Sequence, residues 1–229
     1  MKGKIMSAGM VSIVIPTLNE EQSIGKVIGG VRRALGHGRY EIIVVDGHST
    51  DFTVREARRN GARVIYDGVG KGSALRKGLR NAKGTVIVAM DADLSTDPKE
   101  LRLMIDSIRI GYDICMGSRF MAGGRSEDIS VLRRIGNRFF VMLVNLLFGA
   151  NYSDMCYGYR AFRRDAIGKL RLTEGGFGIE TEISIKAAKA GLKVIEVPSV
   201  EKSRVVGEGK LRTFRDGYAI LRTIINNIE

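Results

Sequence analysis

Short, almost uninterrupted apolar runs at residues 11–17, 40–46, 62–67 and 85–91 alternate with stretches at residues 20–35, 50–60 and 72–82, each long enough for a helix. That rhythm constrains the fold more than anything else in the chain. A strand that is apolar along its whole length has both faces covered, which is the condition of a parallel sheet held between layers of helices. Strand and helix in alternation select a doubly wound α/β sheet. Each run closes on polar or turn-forming residues: Pro16-Thr17-Leu18-Asn19-Glu20, Asp46-Gly47-His48-Ser49-Thr50-Asp51, Asp67-Gly68-Val69-Gly70-Lys71-Gly72, and Asp91-Ala92-Asp93-Leu94-Ser95. Open sheets of this class bind ligands outside the carboxyl ends of their strands, so chemistry is expected in those four segments.

The second half is less regular. Its pattern predicts a helix at 97–110, a strand at 112–120, a Gly- and charge-rich connection at 121–128, an apolar helix at 130–149, a polar stretch at 154–164, a helix at 179–190, a strand at 193–200 and a closing helix at 211–228. In the closing helix Leu211, Phe214, Tyr218, Leu221, Ile225 and Ile228 recur at steps of three and four. This stripe is read as core packing, with docking on a membrane surface as the second reading. No repeat or low-complexity linker divides the chain, and one domain over 1–229 is expected.

At 229 residues and 44% hydrophobic content, the chain can bury a core without disulfides or a structural metal. Cys115 and Cys156 follow no C-x-x-C spacing, and with only His37 and His48 beside them there are too few ligands for a zinc centre. A reducing, cytoplasmic compartment is the reading. The 37 Lys and Arg against 25 Asp and Glu leave a charge of +12, which suits nucleic acid, an anionic lipid surface or phosphorylated small molecules, or simply keeps the surface soluble. Against nucleic acid, there is no aromatic-rich basic strand and no paired-cysteine motif. The longest apolar run, residues 139–148, is interrupted by Asn145 and falls short of the roughly 20 residues that span a bilayer. The N-terminal apolar stretch runs straight into the first strand, so no export signal is expected.

Asp91-Ala92-Asp93 is the strongest local signal. Side chains alternate along an extended chain, so two carboxylates two residues apart share one side. Together they form a hard-oxygen site suited to Mg²⁺ or Mn²⁺ bearing a pyrophosphate, with Ser95 as a further oxygen. Asp97 before Pro98 reads as a helix cap. Asp46 has two readings, an acceptor for base or ribose donors and an Asx turn at a strand end. His48 is read as a solvent-facing loop residue. Gly70-Lys71-Gly72 precedes a helix N-terminus, where exposed N–H groups and a lysine favour an anion.

These motifs, followed by Gly117-Ser118-Arg119, Asp154, Gly158-Tyr159-Arg160-Ala161-Phe162, Phe177-Gly178-Ile179-Glu180-Thr181-Glu182, Glu196-Val197-Pro198, Arg204 and Lys210, stand in an order that resembles the inverting family 2 glycosyltransferases. The later half resembles the polyprenyl-phosphate sugar synthases, the group of the dolichyl-phosphate mannose synthases. The resemblance implies a GT-A fold, a Rossmann-like, mostly parallel α/β sheet with flanking helices. It implies a nucleotide-sugar half at residues 1–97 and an acceptor half at 98–229. It assigns Pro16, Leu18, Glu20, Val45, Asp46, Gly70 and Lys71, with Asp91, Ala92 and Asp93, to the nucleotide sugar, and Asp91, Asp93 and Ser95 to a Mg²⁺ or Mn²⁺ cofactor. It assigns Arg119, Arg133, Asn137, Arg204 and Lys210 to the phosphate of a polyprenyl or dolichyl acceptor, with Asp91, Asp93, Arg119 and Arg204 as the catalytic set. The implied enzyme works peripherally on the cytoplasmic face of a membrane, with GDP-mannose as the first donor and a UDP-sugar as the alternative.

An ionised phosphate acceptor needs no general base, whereas a hydroxyl acceptor does. Asp154, Glu180 and Glu182 are the candidates for that base. On a helix Glu180 and Glu182 point to different sides, so only one of them is expected to face the cleft.

Overall fold

The computed structural model describes residues 9–68, 70–204 and 213–228, and of residues 213 and 214 the backbone alone. Lys210, and the Leu211 and Phe214 side chains of the predicted stripe, lie outside it. The first half alternates as expected: β1 (Val11–Thr17), α1 (Ile24–Leu35), β2 (Tyr40–Asp46), α2 (Thr53–Arg59), β3 (Arg63–Tyr66), α3 (Lys71–Asn81) and β4 (Val86–Ala89). A 3₁₀ turn at Pro98–Glu100, capped by Asp97 Oδ1 accepting from the Lys99 N–H, leads into α4 (Leu101–Arg109) and β5 (Ile114–Ser118). Then come β6 (Arg125–Ser126), α5 (Val131–Phe148), β7 (Arg160–Arg163), α6 (Arg164–Leu170), α7 (Ile179–Lys189), β8 (Val194–Pro198), β9 (Val200–Glu201) and α8 (Thr213–Ile225).

The seven-stranded sheet runs β3-β2-β1-β4-β7-β5-β8, with β6 and β9 forming a separate two-stranded ribbon. All pairings in the large sheet are parallel except those of β7, which lies antiparallel between β4 and β5. The polar stretch at 154–164 therefore contains a central strand. Its Arg160 is buried in full, and its guanidinium donates to Met155 O, Tyr157 O and Ser184 Oγ. Burial pushes the Arg160 pKa down.

Strand residues alternate between two apolar layers, as the pleat requires. Ile13, Ile15, Val44 and Val88 meet Val27, Ile28, Met104 and Ile108 of α1 and α4 on one side. Val14, Ile43, Val45 and Ile87 meet residues of α3, α5, α7 and α8 on the other. Helix α3 comes so close to the sheet that a β-carbon at Gly78 would collide with Val14 and Val45.

The stripe on α8 turns the other way from its reading as core. Ile220, Thr223 and Ile224 are the buried face, while Tyr218 is 70% and Ile225 56% exposed, with Leu221 and Ile228 also exposed. The reason is spacing: Ile220 and Ile224 sit one turn apart and pack with α7 residues in one apolar layer, which leaves Tyr218, Leu221, Ile225 and Ile228 outside. Helix α5 does the same. Asn137, Val141 and Val144 face inward, and Leu132, Ile135, Phe139, Met142 and Leu146 are exposed.

Candidate active site

Strand order reverses at β1, whose neighbours are β2 and β4. A crevice opens there at the carboxyl ends, as it does at the switch point of open α/β sheets. It leads into a cavity of about 770 Å³. The cavity wall runs from Pro16, Leu18, Glu20 and Gly47 past Asp91 and Asp93 to apolar side chains of α5 and α8.

Asp91 and Asp93 both reach the wall. Asp93 Oδ1 accepts from the Ser95 N–H at 3.0 Å, and Oδ2 lies 3.2 Å from Arg204 Nε. Asp91 Oδ1 lies 2.9 Å from Lys71 Nζ, which is also 3.0 Å from Glu180 Oε1. Burial alone would lower the Lys71 pKa, but Asp91 and Glu180 more than offset it, and the net shift is upward. A β-carbon at Gly158 would sit 3.1 Å from both Asp91 Oδ2 and Lys71 Nζ, so glycine leaves that oxygen room. Among the described residues no three His, Cys, Asp or Glu side chains gather as a metal cage. Two carboxylates with an adjacent hydroxyl, Ser95, nevertheless fit Mg²⁺ or Mn²⁺, which commonly take one or two carboxylates and complete their shell with water and substrate phosphate.

The loops on the β1 and β2 side hold each other. Asn19 N–H donates to Ser49 Oγ, Thr50 N–H to Asn19 Oδ1, and Glu20 N–H to Thr53 Oγ1. Two residues assigned to the nucleotide sugar are buried away from the cavity wall. The Val45 side chain is wholly buried in the core beneath α3. Asp46 is buried too, and its carboxylate accepts from the Ser49 N–H, Ser49 Oγ and Thr17 Oγ1. Of its two readings, the strand-end turn is the one observed. Pro16, Leu18, Glu20, Gly70, Lys71 and Ala92 do line the cavity, and His48 is exposed, stacked on Tyr66 with ring centroids 5.7 Å apart.

Of the residues assigned to an acceptor phosphate, Arg133, Asn137 and Arg204 line the cavity, and Arg204 is also 3.5 Å from Asp128 Oδ2. Asn137 Oδ1 accepts from the Cys156 N–H. Arg119 also lines the cavity, and its guanidinium is held by carboxylates. Its Nε and Nη2 donate to the two oxygens of Asp154 at 2.7 and 3.0 Å, and Nη1 to Glu201 at 3.1 Å. Burial works against the Arg119 charge, but Asp154 and Glu201 outweigh it and raise the pKa. Arg119 is thus a strut between β5, the 154–158 loop and β9, with its fork turned to carboxylates. Asp154 is held at both oxygens, which leaves it badly placed as a base. Glu180 is bound to Lys71. Glu182 faces away and accepts from Thr173 and Glu174 N–H groups and from Lys186.

Glu201, Asp128 and Gly158 shape the site, and no local motif marks the first two. Glu201 meets Arg119 across 82 positions of sequence. Only an acidic residue just past Glu196-Val197-Pro198 hinted at it.

A mostly parallel sheet with one reversed strand, a switch-point crevice and an Asp-x-Asp at its lip define a GT-A glycosyltransferase. The chain matches the glycosyl transferase family 2 model over residues 12–171 and belongs to that family. It is 36% identical over 215 residues to a dolichyl-phosphate hexose transferase of Haloferax volcanii, covering 93% of this chain and 92% of that one. It is 34% identical over 210 residues to a dolichol-phosphate mannosyltransferase of Pyrococcus furiosus, covering 88% of this chain but 59% of the relative. Glucosyl-3-phosphoglycerate synthase from Mycobacterium tuberculosis, solved with Mn²⁺, uridine diphosphate and glucosyl-3-phosphoglycerate, shares the fold. The TM-score is 0.76 over 96% of this chain and 80% of that one, at 23% identity.

Proposed function

We propose that this chain transfers a hexosyl group from a nucleoside diphosphate sugar to a polyprenyl phosphate, with a divalent cation at Asp91 and Asp93 and inversion at the sugar. Mannose from GDP-mannose is the first reading of the donor, and UDP-glucose or UDP-N-acetylglucosamine the second. One observation carries the proposal: a single cavity joins the carboxylates at the switch point to Arg133, Arg204 and the apolar side chains Ile135, Phe139 and Tyr218. That sequence of surfaces suits an acceptor with a phosphate head and an apolar tail. The names of the relatives from Haloferax volcanii and Pyrococcus furiosus support the same acceptor class.

The bound cation would neutralise charge that develops on the departing diphosphate. Lys71, the first residue of α3, adds a protein cation on the same side. Arg133 and Arg204 align the acceptor phosphate, since guanidinium forks match phosphate oxygens. The phosphate is already ionised near neutral pH, so no proton has to be taken. The commitment of Asp154, Glu180 and Glu182 to other partners suits that chemistry better than it suits a hydroxyl acceptor.

No helix among the described residues is long and apolar enough to cross a membrane. The exposed stripes of α5 and α8, with Arg134 and Arg138 exposed on α5, support peripheral docking on an anionic lipid surface. Free thiols at Cys115 and Cys156 suit its reducing, cytoplasmic side.

The test is transfer of labelled sugar from a panel of GDP- and UDP-sugars, with and without Mn²⁺, into solvent-extractable polyprenyl phosphate. Cation-dependent label in the lipid phase is expected, and donor hydrolysis with no lipid label would overturn the acceptor. Arg204→Ala is expected to leave donor affinity within about twofold while lowering transfer by about 10–100-fold, the scale of one charged contact to phosphate. Equal losses in donor binding and transfer would instead place Arg204 on the donor.

A further inference from the structure

Lys71 opens α3 and Glu180 stands in the first turn of α7, yet the two meet over Asp91. The ammonium lies between Asp91 Oδ1 at 2.9 Å and Glu180 Oε1 at 3.0 Å, with 23% of the lysine side chain and 6% of the glutamate exposed. Gly158 closes the cluster from above. This arrangement divides the Asp91 carboxylate. Oδ1 is bound to the ammonium, and Oδ2 lies toward the room that Gly158 leaves.

Two carboxylates share one ammonium, and the buried Arg160 guanidinium also acts on Glu180 from the core side. Asp91 and Lys71 alone would form a neutral pair, and a carboxylate wholly matched by an ammonium attracts a second cation weakly. Glu180 draws the ammonium to itself and returns negative charge to Asp91. We propose that Glu180 is a positioning residue for the divalent-cation site: by sharing Lys71 with Asp91 it keeps Asp91 able to hold a cation through Oδ2, while Lys71 acts as an internal competitor for the same carboxylate. This rests on the cation reading given above and extends it to a residue with no direct place at the metal. It also gives Glu180 a task other than general base. Partners just outside a metal's ligands commonly change metal affinity by about 10–100-fold.

The experiment is a titration of the intact protein with Mn²⁺ alone, followed by the electron paramagnetic resonance signal of the free ion, with thermal melting to verify folding. Glu180→Gln, which keeps the size and the hydrogen bond but removes the charge, is expected to weaken Mn²⁺ binding at least about tenfold, with Glu180→Asp recovering part of the loss. Lys71→Met is expected to tighten Mn²⁺ binding, because the competitor is gone, while weakening binding of a nucleoside diphosphate. A structural role for the cluster would weaken Mn²⁺ binding in both variants alike. Equal Mn²⁺ affinity in wild type and folded Glu180→Gln, or weaker binding in Lys71→Met, overturns the inference; should Glu180→Gln not fold, Lys71→Met decides. If wild-type protein binds no Mn²⁺ either alone or with GDP or UDP present, the cation reading itself falls, and this inference with it.

Discussion

Asp93→Ala is expected to abolish cation-dependent binding of the donor nucleotide and to lower sugar transfer by about 10²–10³-fold or more, the scale of losing one preorganised electrostatic contact in a transition state. Asp93 has a dual setting. Oδ1 accepts from the Ser95 N–H at 3.0 Å, which fixes the carboxylate plane, and Oδ2 faces Arg204 at 3.2 Å. On the proposed cation reading, removing the carboxylate takes away a cation ligand, and it leaves Arg204 without its nearest anion. Asp93→Asn separates the two effects, because the amide preserves shape and can still accept from Ser95. Calorimetry with GDP and UDP, with Mn²⁺ present or chelated, reads the result directly. Cation-dependent donor affinity that survives both substitutions would remove Asp93 from the metal site.

Arg119→Ala is expected to act on the fold before it acts on catalysis. The side chains of Arg119, Asp154 and Glu201 are 6%, 0% and 13% exposed. Taking one partner from a buried ion pair leaves an uncompensated charge, which typically costs about 3–5 kcal/mol. That is a large share of the 5–15 kcal/mol that stabilises an ordinary domain. Urea unfolding should show the midpoint fall with little change in slope. Arg119→Lys keeps the charge but not the fork, and should lose less. A protein of wild-type stability that fails only in transfer would return Arg119 to the acceptor phosphate.

Much of the fold was legible because the physics was local. Four apolar runs ended in turn residues, and their order alone gave β1 to β4, the crevice and the place of Asp91 and Asp93. Asp97 before Pro98 was legible for the same reason. Legibility stopped where long-range partners decide. Strand β7 is hidden because two of its four residues are arginine, and Arg160 becomes tolerable inside only when three acceptors from the 155–157 loop and α7 converge on it. The stripe on α8 has a helical period, but period does not say which side meets a neighbour. Arg119 reads as a phosphate ligand until Asp154 and Glu201 arrive from 35 and 82 residues away. Asp46 sits in a motif that suggests a ligand, yet Ser49 and Thr17 are near enough to take its oxygens.

The reversed strand β7 has a consequence for the order in which the chain acquires its shape. As the polypeptide leaves the ribosome, β1 to β4 can pair through short crossovers, while β4 must wait for β7 to cover its free edge. About seventy residues separate them, and at roughly 5–20 residues per second that wait lasts about 4–14 s. Ribosome-stalled chains whose emerged part ends near residues 130 and 190 should differ sharply in protease resistance at β4; equal resistance would mean that another segment covers the edge. Until then the strand that leads to Asp91 and Asp93 is an open template for foreign strands. The nascent first half of the chain therefore passes through a window of aggregation hazard that closes only when β7 has emerged to pair with β4.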